Sequence, residues 1–424
     1  MHPMVKPALR RGWRDPGTVQ FGMAPAHAMV LGPLDTATGY FLTLLDGTRG
    51  LPLLRDEGRR MGLPDGHVDG LVKRLAGAGL LDDATGGGAA ADALRARKAV
   101  LDRLRPDLAS LSVITTEPGE GIERLAARGG LRVQVRGAGR VGVVLASLLA
   151  GAGVGEVEVR DGGCVEPWDV APGGLPADSI GERRAEAARR AVRRAAPERP
   201  RRRRAGPADG SAGRPSTADG RAPVDRAPGL APERGWSLVV LAPRDGLAVH
   251  APDPAAAEDL LASGTPHLYA GVVEATGVVG PLVLPGGTGC AGCLDRGRAD
   301  RDETWPRLIA QWRSGGARPP QPCDLALSAA VAGLAAGHAL TFLDGGSPSS
   351  AGARCEASLP GLNWHARQIC AHPACPCGAA ERGKAEHTSK NREPHETMAE
   401  QQPPTEHRST ARAARLSGTW RAHV

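Results

Sequence analysis

Three glycines at fixed spacing, followed later by a carboxylate, give the first chemical signal in this sequence. Gly137, Gly139 and Gly142 follow the alternating apolar segment Leu131–Val135. In such a loop the first glycine allows a tight turn, the second lets a phosphate approach the backbone, and the third lets a helix pack closely on the strand. Asp161 lies 19 residues beyond Gly142, where a carboxylate can accept from ribose hydroxyls. The pattern predicts a nucleotide-binding unit; the alternative is a glycine-rich turn in a chain rich in alanine and glycine.

A second signal comes from paired cysteines. Cys290 and Cys293 are separated by two residues. Cys375 and Cys377, separated by one residue, form a second pair that begins 82 residues beyond Cys293. In a reducing compartment, clustered cysteines indicate metal binding or catalysis rather than disulfides. Four thiolates at tetrahedral distances predict a closed structural Zn²⁺ site. Cys370 could replace one member of the set, and the alternative is a group of buried free thiols.

The elements that must position these residues are a parallel sheet and its helices. A helix is predicted from Val143 to about Ala150, and a strand at Val157–Val159 then delivers Asp161. The continuous apolar run Leu238–Ala242 predicts a central parallel strand. A helix over Glu182–Ala196 is predicted to turn its arginines to solvent and to bury the apolar residues Ala185, Ala188, Val192 and Ala195.

A separate small module precedes this sheet, at residues 1–84. Thr18–Gly22 and His27–Leu31 are predicted to be short strands, and Leu80–Asp82 a closing strand or wing. Two or three strands with two or three helices in about 80 residues suggest a winged helix of the α+β class. The segment Asp65–Ala78 is predicted to be an amphipathic helix that buries Val68, Leu71, Val72 and Leu75.

Composition divides the chain into six regions. Between the module and the sheet, a helix is predicted over Ala93–Leu108, interrupted late by Pro106. The predicted order is a winged-helix module at 1–84, a linker with this connecting helix at 85–130, the nucleotide-binding half at 131–198, a disordered arginine- and proline-rich linker at 199–234, a second half with the cysteines at 235–378, and a disordered tail at 379–424.

The positive charge is concentrated in one segment. The 424-residue chain has a net charge of +7, but eleven arginines against two glutamates between Arg183 and Arg204 contribute +9. The remainder is therefore slightly acidic, and no aromatic residues are interleaved with these arginines. Nucleic-acid binding has no support in this pattern, and a solvated linker accounts for the arginines.

The sequence also predicts a cytoplasmic protein. The first residues contain no apolar segment of the kind found in signal peptides. Leu325–Leu343, with 19 largely apolar residues, reaches the length of a membrane span, but it is rich in alanine and contains Ser328 and His338. We therefore expect a buried helix there, and no membrane partner.

Three further motifs, together with GAGRVG from Gly137, resemble the ThiF/MoeB adenylyltransferases, whose fold is shared with ubiquitin-activating enzymes. The resemblance extends over roughly Leu131–Gly378 apart from the linker, and it implies a doubly wound Rossmann-like α/β fold with a zinc site. The motifs are LVVLAPRD at Leu238–Asp245, GTGCAGCLD at Gly287–Asp295 and WHARQICAHPACPCG at Trp364–Gly378.

The resemblance implies an ATP site in which a C-terminal carboxylate attacks the α-phosphate. The glycine loop and Asp161 would then hold ATP, and Asp245 matches the acid that helps hold Mg²⁺. Arg184 occupies the position of the family's lysine. The family's Asn-Leu-Asn-Arg is replaced here by Asp169–Pro172, so an arginine that contacts the phosphates is missing. This departure puts adenylation itself in doubt.

The N-terminal module resembles the PqqD-like recognition element that binds the leader peptides of ribosomally synthesised, modified peptides (RiPPs). The residues that carry this resemblance are Val19–Gly22, Leu45–Arg49 and Leu71–Leu81. In that family the leader adds a strand to the exposed edge of a sheet. The substituted Asp169–Pro172 segment and the HPACPCG ending resemble the actinobacterial ThiF-like proteins of azole-containing peptide pathways, which implies a separate cyclodehydratase partner. Members of the wider family usually form homodimers.

The sequence therefore favours a ThiF-like protein that binds a precursor peptide and presents it for modification, with a partly degenerate ATP site. The alternative is an active ATP-dependent adenylyltransferase acting on a peptide or sulfur-carrier C-terminus. An NAD(P)-dependent dehydrogenase would explain the glycine loop and Asp161 but leaves the paired cysteines without a role.

Overall fold

The computed structural model describes residues 1–198, 235–315 and 322–381. The predicted linker at 199–234 lies outside the described residues, as does nearly all of the predicted tail at 379–424. Within the described residues the chain divides into two compact units, an N-terminal unit, Met1–Gly130, with which residues 378–381 are grouped, and a C-terminal unit, Leu131–Cys377.

The N-terminal unit combines short strands with six helices. Its elements are β1 (Pro3–Val5), β2 (Arg11–Asp15), β3 (Thr18–Phe21), β4 (Met29–Leu31), α1 (Thr36–Phe41), α2 (Leu51–Arg60), α3 (His67–Gly77), β5 (Leu81–Asp83), α4 (Gly88–Ala96), α5 (Lys98–Ile114) and α6 (Glu120–Ala127). Strands β2, β3 and β4 form an antiparallel sheet in that order, and β1 pairs with β5.

Helix α3 carries the hydrophobic face that its sequence predicts. Its buried residues are the four predicted ones, because they recur at helical spacing and pack into the core under the small sheet. Strand β2 is exposed along its whole length and lies at one edge of the sheet. The assignment of this unit to the winged-helix class stays a prediction.

The connecting helix differs from its prediction. The chain breaks at Arg97, between α4 and α5, and α5 continues through Pro106 to Ile114. Proline removes one backbone donor and does not by itself end a helix whose remaining turns are buried. Leu104 and Leu111 provide that burial on either side of Pro106.

The C-terminal unit is built on one seven-stranded sheet with the strand order β12-β11-β10-β9-β8-β6-β7. Its elements are β6 (Arg132–Arg136), α7 (Arg140–Gly151), β7 (Glu156–Arg160), α8 (Arg184–Ala195), β8 (Leu238–Leu241), α9 (Gly246–His250), α10 (Glu258–Ala262), β9 (His267–Val273), β10 (Thr276–Val283), α11 (Ala291–Ala299), α12 (Trp305–Ser314), α13 (Leu325–Leu343), β11 (Ala353–Ser358) and β12 (His365–Gln368).

Parallel and antiparallel pairings divide this sheet into two halves. Strand β6 is parallel to both β7 and β8, and β8 is parallel to β9, which confirms β8 as a central parallel strand. Strands β10, β11 and β12 continue the sheet by antiparallel pairing. Helices α7, α8 and α13 share a core with one face, whereas α10 and α11 share a core with the other. Helices on both faces agree with the predicted Rossmann-like α/β fold.

Helix α13 has one face in the core and one face exposed. By length and composition alone it could cross a membrane, yet it packs on α7, β9 and β10. The predicted burial is therefore confirmed for the inward face, while Leu325 and Gly333 are exposed on the outer one. The residues on the buried face are Leu327, Ser328, Val331, Ala332, Ala335, Ala336 and Ala339.

Helix α8 forms where the sequence predicts it but buries a different set of residues. The prediction that its arginines face solvent is wrong for Arg184, which is only 9% exposed. Ala185 and Ala195 lie at the margin of the core and are only partly buried. The buried face lies partly on the next row of alanines, and the ion pairs of Arg184 with Asp161 and Asp169 compensate for its burial. The buried residues are Arg184, Ala187, Ala188, Ala191 and Val192.

Candidate functional site

The glycine loop lies at the carboxyl end of β6, where it leads into α7. Gly137 has φ +118°, a backbone conformation that residues other than glycine rarely adopt. Gly139 is the N-cap of α7 and supplies no side-chain hydrogen bond, so the first backbone N–H groups of this long helix remain available to a ligand. A helix N-terminus of this kind attracts phosphate.

Close packing explains why the loop needs its glycines. A Cβ at Gly137 would lie 2.0 Å from the carbonyl oxygen of Ala242, and one at Gly142 would lie 2.1 Å from the carbonyl oxygen of Gly137. Both positions are therefore closed to larger residues by backbone atoms. A Cβ at Gly139 would meet a side chain instead, 2.7 Å from Cγ of Arg244. That contact identifies Arg244 as a neighbour of the loop.

Asp161 follows β7 directly and closes the other side of the loop. Its carboxylate accepts from the N–H of Ala138 at 2.9 Å, from the N–H of Gly163 at 3.0 Å and from Nε of Arg184 at 2.7 Å. Burial acts to raise the pKa of Asp161, but these hydrogen bonds outweigh burial and lower that pKa. The carboxylate is thus ionised near neutral pH and held firmly in place.

A second carboxylate, Asp169, joins two arginines from separate elements. It is 3% exposed, and its oxygens lie 3.5 Å from Nη1 of Arg184 and 2.8 Å from Nε of Arg244. Glu166 also accepts from Arg244. Asp169 is the first residue of the Asp169–Pro172 segment, which lacks the phosphate-binding arginine that the family has there. The fold brings Arg244 to this segment from the end of β8.

Sequence reasoning missed Arg244, although a signal was present. It is the last residue before Asp245, at the carboxyl end of a central parallel strand, which is the edge where ligands bind in such sheets. Asp245 itself is the N-cap of α9, and its Oδ1 accepts from the N–H of Leu247 at 3.0 Å. The structure thus brings together the glycine loop, Asp161, Arg184 and Arg244, with Asp245 next to Arg244 in the chain.

A cavity of about 1430 Å³ has Asp245 in its wall. Most of the remaining wall comes from α9, α11 and α12, from strands β9 to β12 and from the segment that follows β12. It is larger than the roughly 300–1,000 Å³ of pockets for small molecules. The cavity therefore has room for an extended ligand beside Asp245.

The four predicted metal-binding cysteines converge at the start of α11. The Sγ atom of Cys290 lies 3.8 Å from that of Cys293 and 3.6 Å from that of Cys375, and the Sγ atoms of Cys293 and Cys377 are 3.5 Å apart. Tetrahedral Zn–S bonds of about 2.3 Å separate sulfurs by about 3.8 Å. All four Sγ atoms lie within 4.8 Å of one another, so the donor set fits a metal ion. Cys377, and not the exposed Cys370, completes this group.

The surroundings of the cluster favour a thiolate at Cys293 but not at Cys290, because the hydrogen bond to Cys293 and burial raise the pKa of Cys290. A hydrogen bond from Cys290 lowers the pKa of Cys293, although burial opposes the shift. The guanidinium of Arg296 also faces the cluster, with Nη1 at 3.9 Å from Sγ of Cys375. Thiolates are the form of cysteine that binds metal.

Comparisons with known proteins agree with this architecture. The ThiF family profile matches residues 117–379. E. coli MccB with ATP is 14% identical, with a TM-score of 0.59 over 88% of this chain and 99% of that chain. The microcin C7 biosynthetic enzyme MccB in complex with N-formylated MccA is 14% identical, with a TM-score of 0.59 over 89% and 99%. PaaA is 16% identical, with a TM-score of 0.53 over 85% and 98%. At these identities the likeness is one of fold, and no curated protein matches the sequence significantly.

We expect alanine at two glycines of the loop to have different effects. Gly142→Ala should lower the free energy of unfolding by about 1–3 kcal/mol, because its Cβ would overlap a backbone oxygen. Gly139→Ala should displace the flexible Arg244 side chain rather than backbone atoms, so that its loss of stability is smaller than that of Gly142→Ala while ATP binding weakens. Urea denaturation and calorimetric titration with MgATP separate the two effects. Equal loss of stability in both variants would contradict this division.

We also expect the purified protein to hold about one Zn²⁺ per chain. Cys377→Ser should reduce the bound metal and lower the melting temperature, because one of four thiolates is removed from a closed site. Cys370→Ser is the matched control and should keep both properties. Elemental analysis and thermal unfolding provide the two measurements. Loss of metal in Cys370→Ser but not in Cys377→Ser would refute the assignment.

Proposed function

This chain belongs to the ThiF family, and on that premise we propose that it is an adenylyltransferase that activates a peptide carboxylate with ATP. In this reaction a carboxylate oxygen bonds to the α-phosphorus, the bond from that phosphorus to the bridging oxygen breaks, and pyrophosphate leaves with the electron pair. Solved structures of MccB, which has the same fold, include one with ATP and one with the peptide MccA.

The observation that carries the proposal is the position of Arg244. Its Cγ lies against Gly139, and its guanidinium is held by Glu166 and Asp169. Adenylation needs positive charge where negative charge develops on the phosphates. We infer that Arg244 supplies the guanidinium that the Asp169–Pro172 segment lacks. The positive charge then comes from a different part of the chain but reaches the same place in the fold.

The predicted loop and acid residues keep their proposed roles, whereas the proposed role of Arg184 changes from a catalytic cation to a positioning residue. Gly137, Gly139 and Gly142 form the turn that receives the phosphates, and Asp161 lies where the ribose is expected. Arg184 stabilises Asp161 through their ion pair and keeps its carboxylate oriented. Asp245 is the proposed ligand of Mg²⁺, an ion that neutralises phosphate charge when it is bound.

A second candidate function is a peptide-binding scaffold with a degenerate ATP site. The observation in its favour is that Asp161 already accepts three hydrogen bonds within the protein and its side chain is only 10% exposed. Such a carboxylate has little capacity left for a ribose hydroxyl. The scaffold would present a bound precursor peptide to a separate cyclodehydratase, and a homodimer and a cytoplasmic location remain part of this proposal.

Leader-peptide binding is proposed for the N-terminal unit in either case. The sheet β2-β3-β4 has β2 at an edge, where every residue of the strand is exposed. Unpaired backbone groups on such an edge can pair with an added strand. Trp13, at 48% exposed, provides an apolar contact beside that edge. A PqqD-like recognition role fits this arrangement.

Zinc is the proposed metal of the Cys290, Cys293, Cys375 and Cys377 cluster. An all-thiolate set is typical of structural zinc sites, which leave no open position for substrate. Its role is to join α11 to the segment after β12, both of which contribute to the cavity wall. The metal would thus maintain the shape of the cavity and take no part in the chemistry.

We expect the full-length protein to catalyse peptide-dependent exchange between ATP and pyrophosphate. Arg244→Ala should reduce the exchange rate by about 100-fold, because one charged donor to the phosphates is lost. Arg160→Ala is the matched control: its guanidinium is exposed and ion-paired with Glu158 at the edge of the same sheet. Exchange that is absent from the wild-type protein, while peptide binding persists, would favour the scaffold over the enzyme.

Leader binding is tested separately by fluorescence anisotropy with a labelled leader peptide and the full-length chain. Trp13→Ala should weaken binding about tenfold, because an exposed aromatic contact beside the edge strand is removed. Tyr40→Ala, which alters another exposed aromatic residue of the same unit, should leave the affinity unchanged. Equal affinities for all three proteins would remove β2 as the docking edge.

A further inference from the structure

The wall of the large cavity contains a buried arginine with an unused donor. Arg354 on β11 is 4% exposed, its Nε donates to Glu356, and its Nη1 donates to the carbonyl oxygens of Val249 at 3.2 Å and His250 at 2.8 Å. Its Nη2 is buried and has no hydrogen-bond partner among the described residues. A buried donor without a partner is costly, and such a donor is completed by an ordered water, an ion or a ligand.

Two further arginines converge on the same place. Arg298 on α11 also donates to the carbonyl oxygen of His250, at 2.8 Å, so its guanidinium lies close to that of Arg354. Arg367 on β12 is the direct cross-strand partner of Arg354, and both line the cavity. Like charges in directly opposed positions destabilise a sheet. Three guanidinium groups therefore share one part of the cavity wall.

One carboxylate is bonded directly to these three guanidinium groups in the part of the chain that the structure describes. Glu356 bonds Arg354, and no ion pair of Arg298 or Arg367 occurs within residues 1–198, 235–315 and 322–381. Two other acids in the cavity wall have partners outside this group. Asp300 accepts from His372 at 2.8 Å, and Asp302 accepts from the N–H and Oγ1 of Thr304.

Aromatic rings form the adjoining wall. His250, Trp305 and Trp312 lie with ring centroids 5.8 to 6.4 Å apart, and the guanidinium of Arg298 is 4.7 Å above the ring of Trp305. Burial, and then Arg298 and Arg354, lower the pKa of His250 to about 4, so its imidazole is neutral near pH 7. An apolar wall strengthens the interaction of the arginines with a charge that enters the cavity.

Capping of α9 explains only part of this arrangement. Cations that bond the last carbonyls of a helix are common, and Nη1 of Arg354 and Nη1 of Arg298 have that role at His250. The cap does not use Nη2 of Arg354, and it does not require Arg367. Nη2 of Arg354 and the guanidinium of Arg367 are therefore available to bind a ligand.

We propose that this part of the cavity binds the carboxylate of an acidic side chain, Asp or Glu, in the peptide whose C-terminus is activated. Arg354 and Arg367 receive the carboxylate, and Arg298 keeps the site positively charged. The proposal rests on the proposed function in one respect, because the peptide C-terminus is taken to lie beside Asp245. Helix α9 joins Asp245 to His250, and its five residues span about 7.5 Å, so the acidic residue lies close to the activated end.

Equilibrium binding of amidated peptides tests this inference without the reaction. Short Ala/Gly peptides with a C-terminal amide cannot be adenylated, and a single Glu, Gln or Lys is moved through their last positions. For the full-length protein in calorimetric titration, we expect Glu at one position to bind about 30-fold more tightly than Gln. Arg367→Ala should abolish this preference, and Arg367→Glu should favour Lys. The exposed side chain of Arg367 makes both variants compatible with folding.

One control variant and one further test variant complete the experiment. Arg307→Ala removes an exposed arginine of α12 outside the cavity wall and should keep the preference for Glu. Arg354→Met, like Arg367→Ala, should remove the preference for Glu. Circular dichroism checks that this variant folds. Equal binding of Glu and Gln peptides to the wild-type protein, or a preference that survives both Arg367 variants, would overturn the proposal. Failure of ATP–pyrophosphate exchange would instead count against adenylation, since these peptides report binding alone.

Discussion

Two buried carboxylates, Asp161 and Asp169, govern the arrangement of the nucleotide end of the sheet. A carboxylate removed from water requires hydrogen bonds and a cation, because its desolvation is otherwise too costly. Asp161 meets this requirement with the glycine loop and Arg184, and Asp169 meets it with Arg184 and Arg244. The two acids therefore bind Arg184 from α8 and Arg244 from the end of β8 at the same edge of the sheet. The loop, the helix and the central strand are joined there by charge as well as by packing.

The same edge connects the nucleotide end to the large cavity. Strand β8 ends at Arg244 and Asp245, and α9 then leads to His250, whose carbonyl oxygen accepts from Arg298 and Arg354. A ligand extended from Asp245 into the cavity would pass these arginines. The cysteine cluster joins α11 to the segment after β12, and both line the cavity, so a metal bound there would help to maintain the shape of the cavity.

Much of the fold follows from local sequence. The β6-α7-β7 unit, the central strand β8 and the buried face of α3 form where periodicity and glycine spacing predict them, since each depends on residues close together in the chain. Two predictions about helices are wrong. The chain breaks at Arg97 and continues as a helix through Pro106, and Arg184 is buried because it has ion-pair partners in other elements, which the pattern of alanines does not contain.

The sequence by itself determined the types of chemistry available: a glycine loop for phosphate, paired cysteines for metal, and Asp161 and Asp245 after strands of a parallel sheet. Only the tertiary structure decided which groups act together. In the folded chain Arg244 lies next to Asp169, and Cys377 rather than Cys370 joins the cysteine cluster. The side chains of Arg298, Arg354 and Arg367 line one cavity. The physical reason is that charge compensation and metal geometry operate over a few ångströms in space. Residues far apart in the chain meet those distances only after the sheet has formed.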